Sequence, residues 1–242
     1  MKKYFIFLLL PLLAFIAWDD DDDDRYISIA TVENPDNSSK FILKLDNDRS
    51  LWVSETNYSG YKPKTGQRVL ADYTLLNNRG EGNNYDYDVK LNDAYNILTK
   101  GIFYITPETQ DSIGNDPIGL RDMWIGSDFL NIRFFYDGFN QTHFISLVKD
   151  DSKTYEDNKV HLELRHNNHD DSPVYRASGI VSFNLTSLLT VPLDTEPIGL
   201  VIHVKRYDGS DRTYDMTYDP KNRNEMSLDA DAFNEGKGST VE

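Results

Sequence analysis

Histidine and aspartate are the residue types in this 242-residue chain that could do chemistry, because together they can bind a metal or transfer protons. Four of the five histidines fall within residues 143–169. The side chains that could surround a zinc ion there are His161, His166, His169, Asp170 and Asp171. In a strand, however, His161 and His166 would point to opposite faces, because an odd number of positions separates them. Residues 167–171 have the composition of a polar hairpin loop. We therefore interpret the histidines as solvated strand and loop residues, and we predict neither a metal site nor a cofactor.

Two aspartate-rich segments, residues 208–211 and 229–231, could offer oxygen ligands to calcium. Neither matches the calcium loop of roughly twelve residues, which has a central glycine and a closing glutamate. We interpret both segments as turns.

Motifs of common nucleophilic enzymes are missing from the sequence, which has no Gly-x-Ser-x-Gly and no glycine-rich phosphate-binding loop. Its 40 acidic residues offer carboxylate pairs everywhere, so no single pair identifies a glycosidase. Cysteine is absent, which excludes disulfides, thiol catalysis and cysteine-bound zinc. We predict that the protein is not an enzyme and has no catalytic residues.

The formal net charge of −15 limits the partners. A domain that repels phosphate gains no affinity from counterion release, so binding to DNA or RNA is disfavoured. Anionic membrane surfaces are disfavoured for the same reason, which leaves an N-terminal anchor as the expected contact with a membrane. The remaining partners are a glycan or a protein of the cell envelope, and the oligomeric state is left open.

Aromatic residues in the N-terminal half could bind a glycan by stacking on its sugar rings. The candidates are Trp52, Tyr58, Tyr61, Tyr73, Tyr85 and Tyr87. The alternative is that Trp52 lies in the core and that tyrosines alternating with Asp86 and Asp88 cover a strand face. A surface that meets an envelope protein or a bacteriocin is the other open interpretation.

β-strands must position these side chains, because apolar and polar residues alternate along most of the chain. In the N-terminal half, strands are predicted at about residues 26–32, 40–45, 51–54, 67–76, 85–91 and 96–105. Short strands of this kind suit a small closed barrel, which we place at residues 26–105.

The C-terminal half begins after residues 106–118, a polar segment with proline and glycine that we interpret as the domain linker. Asp-Gly pairs at residues 137–138 and 208–209 predict hairpin turns between alternating strands. We predict an antiparallel β-sandwich at residues 119–220, followed by a flexible tail at residues 221–242. The fold class is therefore all-β.

The N-terminus has the features of an export signal. Lys2 and Lys3 precede an apolar run, and Ala17 supplies the small side chain that a signal peptidase requires. We predict a signal peptide at residues 1–17 and an acidic tether at residues 18–25. The tether contains consecutive aspartates, namely Asp19, Asp20, Asp21, Asp22, Asp23 and Asp24.

The chain resembles the NigD-like proteins of Bacteroidetes in the order of its sequence blocks. These are the aspartate run, Gly-Gln-Arg-Val at residues 66–69, Pro-Ile-Gly-Leu-Arg-Asp-Met-Trp-Ile-Gly at residues 117–126, and Leu-Glu-Leu-Arg-His-Asn at residues 162–167. The resemblance implies an N-terminal OB-type barrel, a C-terminal β-sandwich, and a surface lipoprotein whose aspartate run is the export signal. The family is named after a bacteriocin gene cluster, and the resemblance implies no specific molecular role.

The lipid acceptor is the point where the sequence departs from this pattern. Such lipoproteins carry a cysteine after the small residue, and Trp18 stands at that position without a thiol. The implied location is the cell envelope: the outer membrane or cell surface if the chain is lipidated, and the periplasm or the medium otherwise.

Asp111-Ser112-Ile113 resembles the acceptor of the Bacteroidetes O-glycosylation system. Because it lies in the predicted linker, a glycan on Ser112 would meet no packed neighbour. We therefore predict Ser112 as an O-glycosylation site.

Overall fold

The computed structural model of the chain describes residues 25–34, 39–58, 60–80, 83–189 and 196–221. The predicted signal peptide, Trp18, the aspartate run and the tail beyond residue 221 lie outside the described residues. Within these ranges, strands dominate and no helix has the length and apolar character needed to cross a membrane. The all-β class is confirmed.

The N-terminal strands form a closed barrel, as predicted. They are β1 (Arg25–Glu33), β2 (Phe41–Leu45), β3 (Ser50–Thr56), β4 (Arg68–Asn78) and β5 (Tyr87–Asn96). The barrel closes in the order β1-β2-β3-β5-β4, with β3 and β5 parallel and the other neighbours antiparallel. Alternation buries one side of each strand, so that Phe41, Leu43 and Leu45 of β2 all enter the barrel core. Closure also removes the free edges at which sheets aggregate.

The C-terminal strands form a nearly closed, eight-stranded arrangement in the order β13-β12-β10-β9-β6-β11-β8-β7. They are β6 (Leu98–Tyr104), β7 (Gly119–Gly126), β8 (Phe129–Gly138), β9 (Phe144–Lys149), β10 (Val160–Asn167), β11 (Tyr175–Asn184), β12 (Ile198–Lys205) and β13 (Asp211–Tyr218). Helix α1 (Gln110–Ile113) and a 3₁₀ helix (Thr186–Leu188) lie in connections. One apolar core, including Leu130, Phe134 and Leu147, fills the sandwich.

Strand β6 differs from the sequence prediction, which assigned it to the barrel. Its first half, Leu98 to Gly101, runs parallel to β11, and its second half, Ile102 to Tyr104, runs parallel to β9. β6 therefore belongs to the C-terminal domain and joins its two sheets. Alternation could not reveal this, because period two indicates which face is buried and not which strand lies alongside.

Two predicted hairpins are crossovers between the sheets. β8 pairs with β7 and β11, whereas β9 pairs with β6 and β10, so the turn at residues 137–138 does not connect paired strands. The loop at residues 167–171 likewise links β10 to β11, which are not neighbours. The turn at residues 208–209 is a hairpin, in which Gly209 adopts a φ of 81° between β12 and β13. Because β6 and β12 form parallel pairs, the sandwich is mixed rather than wholly antiparallel.

A small apolar cluster joins the two domains. Ile29 and Leu70 of the barrel, Ile97 at the junction and Trp124 of the sandwich are all buried against one another. The boundary between the domains therefore lies at Ile97, and residues 106–118 are a connection within the C-terminal domain.

A buried ion pair of the barrel, beside this cluster, is hydrogen-bonded to the sandwich across the interface. The Arg68 guanidinium donates to both carboxylate oxygens of Asp46, and the distance between Nη2 and Oδ2 is 2.9 Å. The same Nη2 also donates to Asn131 Oδ1 at 3.1 Å. The Arg68 and Asp46 side chains are 0% and 3% exposed. Ser182 donates to Asn131 Oδ1, and the Phe129 ring lies 4.1 Å from the guanidinium carbon. Two barrel residues are thus held by hydrogen bonds and ring contact to two sandwich residues, Asn131 and Phe129, and Ser182 orients Asn131.

The position of β6 predicts how the C-terminal domain tolerates truncation. Residues 98–221 expressed alone should unfold cooperatively on heating, because every strand of the sandwich keeps its partners. Residues 117–221 should fail to do so, because the loss of β6 separates β9 from β11. Circular dichroism melts and amide dispersion in NMR spectra would compare the two fragments, and equal cooperativity would show that β6 is dispensable.

Candidate functional site

Strand β10 divides the histidines into two networks. Leu162, Leu164 and His166 face the buried side of the strand, whereas His161 lies on the other face, as the spacing predicts. The expectation that the histidines are solvated is wrong for His143 and His166, each of which is 2% exposed.

The inner network runs from Asp171 through His143 and His166 to the backbone carbonyl of Pro117. Asp171 Oδ2 lies 3.2 Å from His143 Nε2, His143 Nδ1 lies 2.9 Å from His166 Nε2, and His166 Nδ1 lies 3.0 Å from Pro117 O. Each contact needs one proton, and the carboxylate and carbonyl at the two ends act as acceptors. Two neutral imidazole rings carry only two of the three protons required. The network therefore holds one additional proton.

Asp171 is the charged acceptor at one end of this network. Burial acts to raise the pKa of Asp171, but the backbone N–H groups of Phe139 and Asn140, with His143, outweigh it and lower that pKa. Asp171 therefore stays ionised. Burial lowers the pKa of His166, which keeps that ring neutral.

The outer network has an acceptor at only one end. His161 Nε2 lies 2.9 Å from Asp157 Oδ1, and His161 Nδ1 lies 2.8 Å from His203 Nε2. Two neutral rings satisfy both contacts, with His161 donating to Asp157 and His203 donating to His161. His203 Nδ1 remains an acceptor without a partner among the described residues. Burial, together with the His161 ring, lowers the pKa of His203 and favours its neutral form.

Tyr155 covers the outer network on one side. Its ring is parallel to that of His161, with 3.5 Å between centroids and 1° between planes. The Tyr155 side chain is nevertheless 42% exposed. One face of the phenol ring is therefore occupied by His161, and part of the side chain remains accessible to solvent.

A cleft of about 400 Å³ opens beside His203 and Tyr155. Its other polar and charged lining residues are Asn115, Lys153, Glu163, Arg165, Lys205, Asp211, Arg212 and Thr213. Strand pairing assembles this lining, because β10 and β12 place Glu163 opposite His203 while β12 and β13 place Lys205 opposite Asp211.

The charges in the cleft are unevenly paired. Glu163 lies between Lys153 and Arg165. Its Oε1 is 2.5 Å from Lys153 Nζ, and its Oε2 accepts from Arg165 Nε at 2.7 Å. Burial acts to raise the pKa of Glu163, but these two cations outweigh it and lower that pKa.

Lys205 and Arg212, by contrast, form no ion pair with any residue in the described part of the chain. Arg212 pairs with Val204 and lies 5.1 Å from the Tyr214 ring, so its side chain is on the face opposite His203. Lys205 is therefore the available cation beside a neutral histidine nitrogen.

The aromatic residues predicted to bind a glycan do not form one platform. Trp52 and Tyr85 are half-buried and stack outside the barrel, with 5.3 Å between centroids. Exposed Tyr58 stacks on Tyr61 in a second pair, at 5.7 Å. Tyr73 is buried and leaves no face for a ligand.

The sixth of these aromatics, Tyr87, is partly buried and packs against the barrel core. Trp52 is not a core residue, because it alternates with buried Leu51 and Val53 and points away from the barrel interior. Of the two pairs, Trp52 and Tyr85 remain the better candidate for stacking.

The remaining predicted sites that fall within the described residues have local structural roles. No three histidine, aspartate or glutamate side chains in the described ranges converge to hold a metal ion. Asp208 accepts hydrogen bonds from the backbone and hydroxyl of Ser210, which is the geometry of a turn. Residues 229–231 lie outside the described residues.

Ser112 is exposed on α1, where its hydroxyl donates to the carbonyl of Thr109 at 2.9 Å. The segment that carries it is held against β10 rather than free, because Asn167 Nδ2 donates to Ser112 O and the Asp116 N–H donates to His166 O. Its glycosylation remains a prediction.

Sequence reasoning missed the cleft. Alternation along residues 200–205 already put His203 and Lys205 on the face opposite Leu200, Ile202 and Val204. What it could not show was the parallel pairing that brings this face beside His161 and Glu163.

The comparisons with known proteins match both domains. A model of the NigD-like N-terminal OB domain matches residues 29–97, and one of the NigD-like C-terminal beta sandwich domain matches residues 101–218. No curated protein matches the chain.

Solved structures share the architecture. A protein of unknown function from Bacteroides vulgatus ATCC 8482 is 29% identical with a TM-score of 0.75, over 88% of this chain and 100% of that chain. A protein from Parabacteroides distasonis ATCC 8503, named as toxin-related, is 32% identical with a TM-score of 0.68, over 81% of this chain and 94% of that chain. A NigD-like immunity protein from Bacteroides caccae ATCC 43185 is 18% identical with a TM-score of 0.62, over 82% of this chain and 98% of that chain.

The histidine networks predict that acid destabilises the fold. The pKa values of His166 and His203 are lowered in the folded state. Below a pH of about 6.5, the same two side chains therefore bind protons in the unfolded chain more readily than in the folded one. Each proton of difference costs about 1.4 kcal/mol per pH unit. Urea unfolding between pH 7 and pH 5 should show this fall.

The variant His166→Gln tests which histidine carries the effect. The variant should be less stable at pH 7, and its stability should depend less on pH. In the unaltered protein His166 resists protonation, because a fourth proton in the inner network would set two N–H groups against each other across the 2.9 Å contact between His143 and His166. An unchanged slope in this variant would contradict the proton count.

Proposed function

The chain belongs to the NigD-like family, and from this premise we propose that it is a non-enzymatic binding protein of the cell envelope that holds a sugar-containing ligand in the cleft of its C-terminal domain. Export would follow from the N-terminal signal, and durable attachment to a membrane would require a lipid at position 18.

The main support for this proposal is the ionised state of Glu163 in the cleft. Glu163 is fixed between Lys153 and Arg165, and its pKa is lowered. A general acid needs the opposite shift, because it must hold a proton near neutral pH. The arrangement therefore disfavours Glu163 as a general acid and leaves it as a fixed anchor for Lys153 and Arg165.

The shape of the cleft supports a ligand the size of one or two sugar rings. Its volume of about 400 Å³ lies within the range of pockets for small molecules. The exposed part of Tyr155 offers an apolar surface of the kind on which a sugar ring can stack, and polar groups around it can bind hydroxyls.

A second candidate site is the stacked pair of Trp52 and Tyr85 on the barrel. Arg79 lies 5.6 Å from the Tyr85 ring and forms an ion pair with Asp88, so polar groups flank these aromatics too. In this alternative the protein is a glycan-binding accessory protein that uses its OB domain.

A protein partner is the further alternative, and one surface favours it. Phe139, Phe144, Val174 and Tyr175 are between 48% and 67% exposed where the two crossovers meet. The names of two similar proteins, one an immunity protein and the other toxin-related, suggest bacteriocin-associated partners for this surface. A pull-down that captures an envelope protein or a bacteriocin, and that Tyr175→Ala abolishes, would favour this alternative.

The location can be tested through position 18. Trp18→Cys should allow incorporation of labelled palmitate and digestion by protease on intact Bacteroidetes cells, because it restores the lipid acceptor before the aspartate run. The sequence with Trp18 should show neither. Replacing Asp19 to Asp24 with alanine in the cysteine variant should keep the label and abolish surface digestion. Equal labelling of the tryptophan form would refute the assignment of position 18.

A glycan array can decide between the two aromatic sites. Tyr155→Ala should abolish binding to the glycans that the unaltered protein recognises, because it removes the stacking surface in the cleft. Trp52→Ala should leave binding unchanged and so serves as the matched control. The reverse result would move the binding site to the barrel.

A further inference from the structure

We infer that the cleft binds an acidic sugar, meaning a sugar ring that carries a carboxylate or a phosphate, with Lys205 and His203 beside the acidic group and Tyr155 against the ring. The inference rests on the proposed function and adds the chemical class of the ligand.

The charge of the cleft selects an anion. Three cationic side chains line it on the face of His203 (Lys153, Arg165 and Lys205), against two carboxylates (Glu163 and Asp211). Lys153 and Arg165 both contact Glu163, which leaves Lys205 available. The chain as a whole has a net charge of −15, so most of its surface repels anions. An excess of positive charge confined to one concave site concentrates an anionic ligand there.

His203 adds a group whose charge can adapt to the ligand. Its Nε2 is engaged with His161, which is in turn bonded to Asp157, so Nδ1 is the nitrogen left for a ligand. An oxyanion at Nδ1 favours protonation of the ring, because only the protonated ring donates from both nitrogens. Binding should therefore take up a proton and strengthen as the pH falls.

The surroundings of His203 are compatible with this proton uptake. The titratable and charged groups that face it or share its cleft are His161, Glu163 and Arg165 on β10, Lys205 on β12, Asp211 and Arg212 on β13, and Lys153, Tyr155 and Asp157 in the preceding loop. Glu163 is already paired with two cations, and Asp157 is bonded to His161. Asp211 lies opposite Lys205 rather than His203 across β12 and β13. None of these carboxylates therefore replaces the ligand at Nδ1.

The neutral part of the ligand is specified by Tyr155. Stacking on His161 fixes the plane of the phenol ring, and its exposed part borders the same cleft as the cations. An inorganic anion would leave that surface unused. A sugar with an acidic substituent would occupy both features at once.

Isothermal titration calorimetry on residues 18–242 would test the inference with four probes: D-glucuronate, D-glucose 6-phosphate, D-glucose and inorganic phosphate. We expect the two acidic sugars to bind at least about tenfold more tightly than glucose or phosphate. Binding by only one of them would identify the acidic group as a carboxylate or a phosphate. Affinity should increase from pH 7.5 to pH 6, and His203→Gln should remove this increase.

Charge variants provide the matched control. The variant Lys205→Gln should weaken binding of the acidic sugars at least about tenfold without changing the thermal midpoint. Lys62→Gln removes the same charge from an exposed position outside the cleft and should leave affinity unchanged.

The outcomes separate this inference from the proposed function. If glucose binds as tightly as glucuronate and Tyr155→Ala abolishes both, the cleft binds sugars but the acidic class is wrong. Phosphate that binds as tightly as glucose 6-phosphate would overturn the role of the sugar ring. Absence of binding by every probe here and by every glycan on the array would refute the proposed function itself.

Discussion

The buried ion pair between Asp46 and Arg68 is the constraint on which the arrangement of the two domains depends. Removing two charges from water is costly, and the cost is offset only where geometry is favourable and the remaining hydrogen bonds are satisfied. Here the guanidinium meets the carboxylate with two nitrogens, and Asn131 of the sandwich bonds to both partners. Among the described residues, only the Nε of Arg68 lacks a hydrogen-bond partner within this group. These bonds are directional. The barrel can therefore dock in one orientation, whereas the apolar cluster around Trp124 alone would tolerate sliding.

The close fit of this interface also restricts the backbone around it. A side chain at Gly126 would place its Cβ 2.4 Å from Asp46 Oδ2, so the end of β7 must be glycine for the carboxylate to sit where it does. The apolar core of each domain supplies most of the burial, but it does not specify how the domains meet. That specification comes from a few polar groups with no access to water.

Much of the fold could be predicted from the sequence, and the limit of prediction has a physical cause. Alternation depends on the two faces of a strand, so it located β1 to β5 and most strands of the sandwich. Neighbours in a sheet depend on contacts between distant segments, so alternation assigned β6 to the wrong domain. The Asp-Gly pairs show the same limit, since residues 208–209 form a hairpin and residues 137–138 connect different sheets. The cleft was missed for this reason, because its lining comes from strands that pair in parallel.

The division of β6 between two sheets also has a consequence for the order in which the protein folds. Every barrel strand is complete at Asn96, so the barrel can close early. β6 follows immediately, yet its partners end at Lys149 and Asn184. Pairing across such long loops is entropically costly and slow. The sandwich must therefore remain open until nearly the whole chain is available.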